Sequence, residues 1–212
     1  EHGFEGTANV TGVLEQEHFV ESVRLLQALA PQVRRLAVIS DPGIQWPPVI
    51  ARIRAAMDRL PGVTLAAVDQ VRTFDEFKER LAAYPAVADA VVQLGIFNLA
   101  GQDGRNVRYQ EVQKWAALHG TLPDTSFWID RVHFGVLAAV TISEREQGLA
   151  AGRLARAILV EGKAPASLPM QPTMKGHPAI NLARAKRLGI SVRSSLLLSA
   201  EVVTGYEWEE SR

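Results

Sequence analysis

The apolar runs of this chain are short, and segments with helical spacing separate them in a regular order. Residues 36–40, 63–68, 88–94, 126–129 and 136–142 read as strands, and they lack clean in-and-out alternation, as strands covered on both faces do. Between them, Phe19, Val23, Leu26 and Ala30 line one helical face that Pro31 stops. Val49, Ile53, Met57 and Leu60 repeat the spacing behind Pro47 and Pro48, and Pro61-Gly62 ends that run. Phe74, Phe77 and Leu81 follow Thr73 with Glu76 three residues on, the spacing of a capping box. A loop rich in Gly, Asn and Asp is expected over 97–106, and Val107, Val112 and Trp115 then mark a helix ending near His119-Gly120. Strand and helix alternate throughout, which predicts an α/β fold with a parallel sheet and helices on both of its faces.

From Glu144 the pattern changes to a long alanine-rich helix reaching Val160, followed by a proline-rich connection through Pro172. A strand is expected near Ala179, and then a short helix over 181–188 with Asn181 as its cap and Gly189 as its stop. There is no internal repeat and no low-complexity segment.

At 212 residues the chain is long enough for one large domain or two small ones. Its 23 basic and 23 acidic residues cancel, so no net field draws it to nucleic acid or to an anionic membrane. It has no cysteine, which excludes disulfides, thiolate-bound zinc and thiol catalysis. The most apolar stretches, 86–94 and 136–142, fall short of the roughly 20 residues a membrane helix needs. No signal peptide is visible at the start, which reads instead as the middle of a domain.

The common catalytic motifs are missing: no phosphate-binding Gly-rich loop ending in Lys-Ser/Thr, no Gly-x-Gly-x-x-Gly after a strand, no Gly-x-Ser-x-Gly and no His-Glu-x-x-His. The histidines (His2, His18, His119, His133 and His177) are scattered, none pairing with another at metal-ligand spacing. No catalytic residue, metal or cofactor is therefore expected. In open parallel sheets ligands gather outside the carboxyl ends of the strands. The residues there are Ser40, Asp41 and Gln45, then Asp69 and Gln70, then 95–98, then 130–133, with Trp46, Phe97, Trp128 and Phe134 interleaved. Carboxylates hold an ammonium group, hydroxyls and amides hold a carboxylate, and aromatic walls bury an apolar body. Ser40, Gln45, Phe97, Asn98, Trp128 and Asp130 are accordingly the expected ligand contacts, although each also has a plain role as a turn, cap or core residue.

Residues 148–203 carry the most specific order of motifs: small residues on a helix, Gly162-Lys163-x-Pro165, Leu168-Pro-Met-Gln-Pro172, then Asn181-Leu-x-x-Ala-Lys-x-Leu-Gly-Ile190. Upstream, Asn9-Val-Thr-Gly-Val13, Leu25-Leu26 through Pro31, Arg35-Leu-Ala-Val-Ile39, Thr121-Leu-Pro123 and Phe134-Gly-Val-Leu-Ala-Ala-Val140 add to it. Together these resemble the extracytoplasmic solute-binding proteins of ABC importers, in the group that includes tryptophan and tyrosine binders. Where many relatives carry Thr-Asp-Asn or a similar trio after the third strand, this chain has Gly95-Ile-Phe-Asn98.

The resemblance implies a type I periplasmic-binding-protein fold of two α/β lobes with ligand in an interlobe cleft. In that scheme residues 13–141 form the complete second lobe, while 1–12 and 142–212 form part of a first lobe whose beginning lies upstream. It also implies a small-molecule solute as ligand, with an amino acid as one candidate, and an ABC permease as partner. The location implied is periplasmic or extracytoplasmic, with a lipid anchor on the full-length protein. Apolar surface left by the missing lobe points to homo-oligomerisation. The alternative function is a ligand-sensing domain of the same fold coupled to a signalling partner. A doubly wound enzyme using Asp130 or His133 as base is the weakest reading, since no nucleophile pairs with either.

Overall fold

A computed structural model describes residues 7–172 and 175–210. Within them the chain divides into two compact units, a smaller one of 7–17, 142–172 and 175–177, and a larger one of 18–141 and 178–210.

The larger unit is built on a seven-stranded sheet. In chain order its strands are β2 (Arg35–Ser40), β3 (Thr64–Gln70), β4 (Ala90–Gln93), β7 (Asp124–Ser126), β8 (Ala138–Ile142), β10 (Gly176–Asn181) and β11 (Glu201–Val203), ordered β11-β10-β8-β7-β4-β2-β3 across the sheet. The pairs β2 with β3, β2 with β4, β4 with β7, β7 with β8, and β10 with β11 are all parallel. The first five strands thus follow a doubly wound order in which the chain lays β3 on one side of β2 and then crosses to lay β4 on the other. α1 (Phe19–Leu29) leads into β2, and helices make the crossings that follow: α2 (Trp46–Ala56), α3 (Phe74–Ala83) and α4 (Tyr109–His119).

Each of these elements has a local cause. Phe19, Val23, Leu26 and Ala30 are buried as one face, and α2 opens on Pro47 and Pro48, whose missing N–H groups cost nothing in a first turn. Thr73 and Glu76 form the full capping box of α3. In β2, Ala37 and Ile39 face a core made with Phe77, Leu81 and Tyr84 of the α3 side and with Val112 and Ala116 of α4, while Leu36 and Val38 are equally buried on the other face. Burial on both faces explains the unbroken apolar run.

Two local expectations, a strand and a loop, need correction here. The fourth strand is Asp124–Ser126, two residues before the apolar segment that was read as a strand, and Ile129–His133 is instead a short helix, α5. The strand is polar yet buried because its side chains are paired. Asp124 accepts from Gln93 Nε2 (2.8 Å), Leu137 N (3.2 Å) and Arg184 Nε (3.2 Å), and Ser126 Oγ donates to the Gln93 carbonyl (2.8 Å). Polar groups satisfied in this way are as buriable as apolar ones, and hydropathy does not register the pairing. The expected loop over 97–106 also contains a two-stranded antiparallel hairpin, β5 (Leu99–Ala100) with β6 (Asn106–Val107).

The segment after 177 is expected with the first lobe. Residues 178–210 belong to the larger unit, extending its sheet with β10 and β11. Arg184, on α7 (Leu182–Arg187), is the reason. Fully buried, it binds Asp124 and also donates to the carbonyls of Ala117 (2.8 Å), Gly120 (3.0 Å) and Leu122 (3.2 Å). Asn181 caps α7 by accepting from Arg184 N and donates from Nδ2 to the Val132 carbonyl (2.8 Å), and Gly189 stops the helix at φ +68°. The unit closes with α8 (Ser194–Leu197) and α9 (Glu207–Glu210).

In the smaller unit, β1 (Val13–Leu14) pairs in parallel with β9 (Gln171–Pro172), and Thr11 Oγ1 donates to the Leu168 carbonyl at 2.6 Å. Its long helix, α6 (Glu144–Leu159), starts at Ser143, whose Oγ accepts from Glu146 N. Ala157 alone among the helix residues is buried, while Leu149, Leu159 and Val160 beyond its end are exposed. Residues 1–6, expected in the partial first lobe, lie outside the described residues.

Candidate functional site

In a doubly wound sheet the crevice opens where the winding reverses, outside the carboxyl ends of the strands. Here that place is the end of β2 and the end of β4, and Asp41 ties the two together. This buried carboxylate accepts from Gly43 N (2.8 Å) and Trp46 Nε1 (2.6 Å) on one oxygen, and from Phe97 N (2.8 Å) and Asn98 N (3.0 Å) on the other. Its own N–H donates to the Gly95 carbonyl at 2.7 Å. With both oxygens doubly engaged, Asp41 shapes the site and has little capacity left for a ligand.

Held by that bond, Trp46 stacks on Phe97 with ring centroids 6.4 Å apart and meets Trp128 edge-on at 6.3 Å. Phe97 in turn meets Tyr109 edge-on at 5.5 Å, and Tyr109 meets Phe134 at 6.2 Å. A chain of aromatic rings therefore runs along the carboxyl ends of β2, β4 and β7 and onto the start of α4 and the two ends of α5. Arg131, on α5, lies within this chain. Its guanidinium sits 4.5 Å from the Phe97 ring centroid and 4.4 Å from that of Tyr109, and the residue is 1% exposed. Burial pulls its pKa down, against the opposing charges of Asp130, Tyr109 and Asp41. Burial likewise raises the Tyr109 phenol, helped by the neighbouring Asp130 carboxylate.

Beside these rings runs a groove of about 560 Å³ lined by Arg108, Tyr109, Lys114, Asp130, Phe134 and Trp208 among others. It has both signs of charge and three aromatic walls. Among the described residues no cluster of His, Asp and Glu could hold a metal ion.

Of the six residues expected to touch ligand, the structure gathers Phe97, Trp128 and Asp130 around Trp46, Tyr109 and Arg131. Asn98 joins through its backbone N–H on Asp41, with its side chain exposed. Ser40 lies under the site, fully buried, with an Oγ that has no hydrogen-bond partner. Gln45 stands apart on the exposed lip, its amide folded back against Gly43. Sequence reasoning missed Tyr109 and gave Arg131 no role. The available signal for Arg131 was its place in the 130–133 strand-end segment, beside an acid.

A family model described as ABC transporter substrate binding protein matches residues 124–204. The resemblance read from the sequence holds. Among solved structures, the ABC domain in complex with L-Trp from Streptococcus pneumonia is 21% identical, with a TM-score of 0.68 over 92% of this chain and 65% of that one. A conserved domain protein from Vibrio cholerae gives 19%, a TM-score of 0.72 and coverage of 95% and 67%. A ligand-free, open substrate-binding protein with adhesive properties from Clostridium difficile gives 15%, 0.71, and coverage of 95% and 66%. At these identities the structural likeness is one of fold. The chain spans about two thirds of the length of these three structures. No curated protein sequence matches it significantly.

Proposed function

We propose that this chain is the solute-binding component of an ABC importer, working outside the cytoplasm and delivering a small solute to a permease. The observation that carries this is the row of rings from Trp46 to Phe134 at the reversal point of a doubly wound sheet, flanked by a groove with both signs of charge. Aromatic walls with a few charged groups suit a small molecule with an apolar body and polar ends. An amino acid fits that description, and the tryptophan complex of the Streptococcus pneumonia protein lends it weight. In this reading the chain binds its solute and makes or breaks no bond.

In this reading the larger unit corresponds to the second lobe of a two-lobed binder and the smaller unit to part of the first. The strand-end site is one wall of the solute site. Self-association belongs to the same reading and is carried by the exposed apolar residues of α6 alone. Thermal-shift screening of the full-length protein against amino acids, sugars, nucleosides and polyamines tests the function. Stabilisation by one chemical class supports it, and a flat profile across all of them counts against it.

A further inference from the structure

Arg131 and Arg184 are the two fully buried arginines of the larger unit, and they differ in one respect. Arg184 spends its guanidinium on one carboxylate and three carbonyls. Neither terminal nitrogen of Arg131 has a hydrogen-bond partner, although both are out of contact with solvent. The carboxylate of Asp130 pairs with it at 3.9 Å from Nε, beyond hydrogen-bond length. Asp41, whose charge also reaches it, has both oxygens engaged by other donors.

A planar fork of N–H groups left unspent in a buried site is costly, because burial removes water without replacing it. Phe97 and Tyr109 offset part of that cost through their ring faces, but a ring face leaves in-plane N–H groups unpaired. An arginine fork matches a carboxylate or a phosphate in the plane by two parallel hydrogen bonds, and with the Asp130 carboxylate already beside this one cation the singly charged carboxylate is the better match. Tyr109 and Asp130, which flank the guanidinium, also line the groove described above, whereas the buried Arg131 does not, so a solute in the groove meets the unspent nitrogens when a flanking side chain turns aside.

We propose that Arg131 is the anchor for a carboxylate on the solute, whose apolar body then lies along the Phe97, Tyr109 and Phe134 rings. This rests on the reading that the strand ends bind a solute, and it narrows the ligand to organic acids. A zwitterion finds a partner for its ammonium group in Asp130.

Calorimetric titration of the full-length protein tests this with the 20 common L-amino acids, benzoate, 3-phenylpropionate and indole-3-acetate in one arm. Glucose, adenosine and spermidine form the other arm. The expected result is binding in the carboxylate arm, about 10- to 100-fold weaker for the amide of the tightest-binding acid and for R131K and R131Q. Binding confined to the second arm, or an acid bound equally well by R131Q, overturns the carboxylate anchor and leaves the solute-binding function standing. Silence in both arms overturns both. Thermal unfolding of ligand-free R131M is the second measurement. A midpoint equal to or above that of the parent protein is expected, since an uncompensated buried cation is replaced by an apolar chain. A marked fall shows that Arg131 is a structural cation and overturns the proposal.

Discussion

The indole of Trp46 lies against the backbone of Gly95, so closely that a Cβ on Gly95 would stand 1.7 Å from a ring carbon. The ring cannot slide away cheaply, because its Nε1 is bound to Asp41 at 2.6 Å and its faces are taken by Phe97 and Trp128. Gly95 is therefore fixed by this contact, and by the close passage of β4 beside β2. G95A is expected to destabilise the protein by about 1–3 kcal/mol, as overpacking of a filled core does. It also displaces Trp46, visible as a change in near-ultraviolet circular dichroism. In a W46F background the same substitution costs less, and an unchanged cost there, read by urea unfolding, contradicts the steric explanation.

Asp41 receives four N–H groups, and an amide at that position offers an acceptor to two of them at best. D41N is expected to cost about 1–3 kcal/mol for each buried donor left without a partner. Because those donors belong to Gly43, Trp46, Phe97 and Asn98, the loss loosens the whole strand-end site. Hydrogen exchange is the direct measurement: faster exchange at the Phe97 and Asn98 amides is expected, with the β2 interior unaffected at first.

Much of the fold was legible because its causes are local. The Thr73 and Glu76 capping box, the Asn181 cap with its Gly189 stop, and the buried face of Phe19, Val23 and Leu26 are all written in adjacent residues. The fourth strand was displaced because Asp124 and Ser126 owe their burial to partners 31 to 60 residues away, Gln93 and Arg184. The site divided in the same way. Strand-end position pointed to Phe97, Trp128 and Asp130, while the burial of Arg131 between two rings depends on α4 and α5 meeting, which spacing along the chain does not reveal.

The Asp124 and Arg184 pair makes a prediction with a pH signature. R184M leaves a buried carboxylate without its cation, a loss expected to reach about 3–5 kcal/mol. Burial raises the pKa of Asp124, and Arg184 is the largest influence opposing it. In R184M the folded-state pKa therefore rises further above the unfolded value. A group of that kind contributes most stability at low pH and loses it as pH rises through the folded pKa. The deficit of R184M relative to the parent protein should accordingly shrink on acidification, as measured by urea midpoints at successive pH values. A deficit that stays constant down to the carboxylate range is the contrary result.

Glu76 behaves in the opposite sense. The backbone N–H groups of Arg72 and Thr73 donate to its carboxylate at 2.7 and 3.2 Å and hold its pKa below the usual 4.5. The capping box thus contributes stability above the unfolded pKa, and that contribution disappears as pH falls through the lowered folded one. E76Q is expected to be less stable than the parent at neutral pH, and the two proteins should converge in acid. Convergence on raising the pH instead would contradict the assignment.

The helix α6 leads to the last expectation. Over Glu144–Leu159 its one buried residue is Ala157, while Leu159 and Val160 are 82% and 75% exposed and Leu149 is 44% exposed. Leu149 and Val160 are 11 residues apart, close to three full turns, so they fall on one side of the helix. Gly152, Arg153 and Arg156 lie between them on that side, so the exposed apolar surface is two separate spots, each a place for another surface to settle. Sedimentation of this chain at micromolar concentration is expected to show self-association that L149Q with V160Q weakens. These are surface changes, so the melting temperature of the larger unit should not move. A monodisperse monomer before any substitution removes the expectation, and leaves the α6 surface without a role in assembly of this chain.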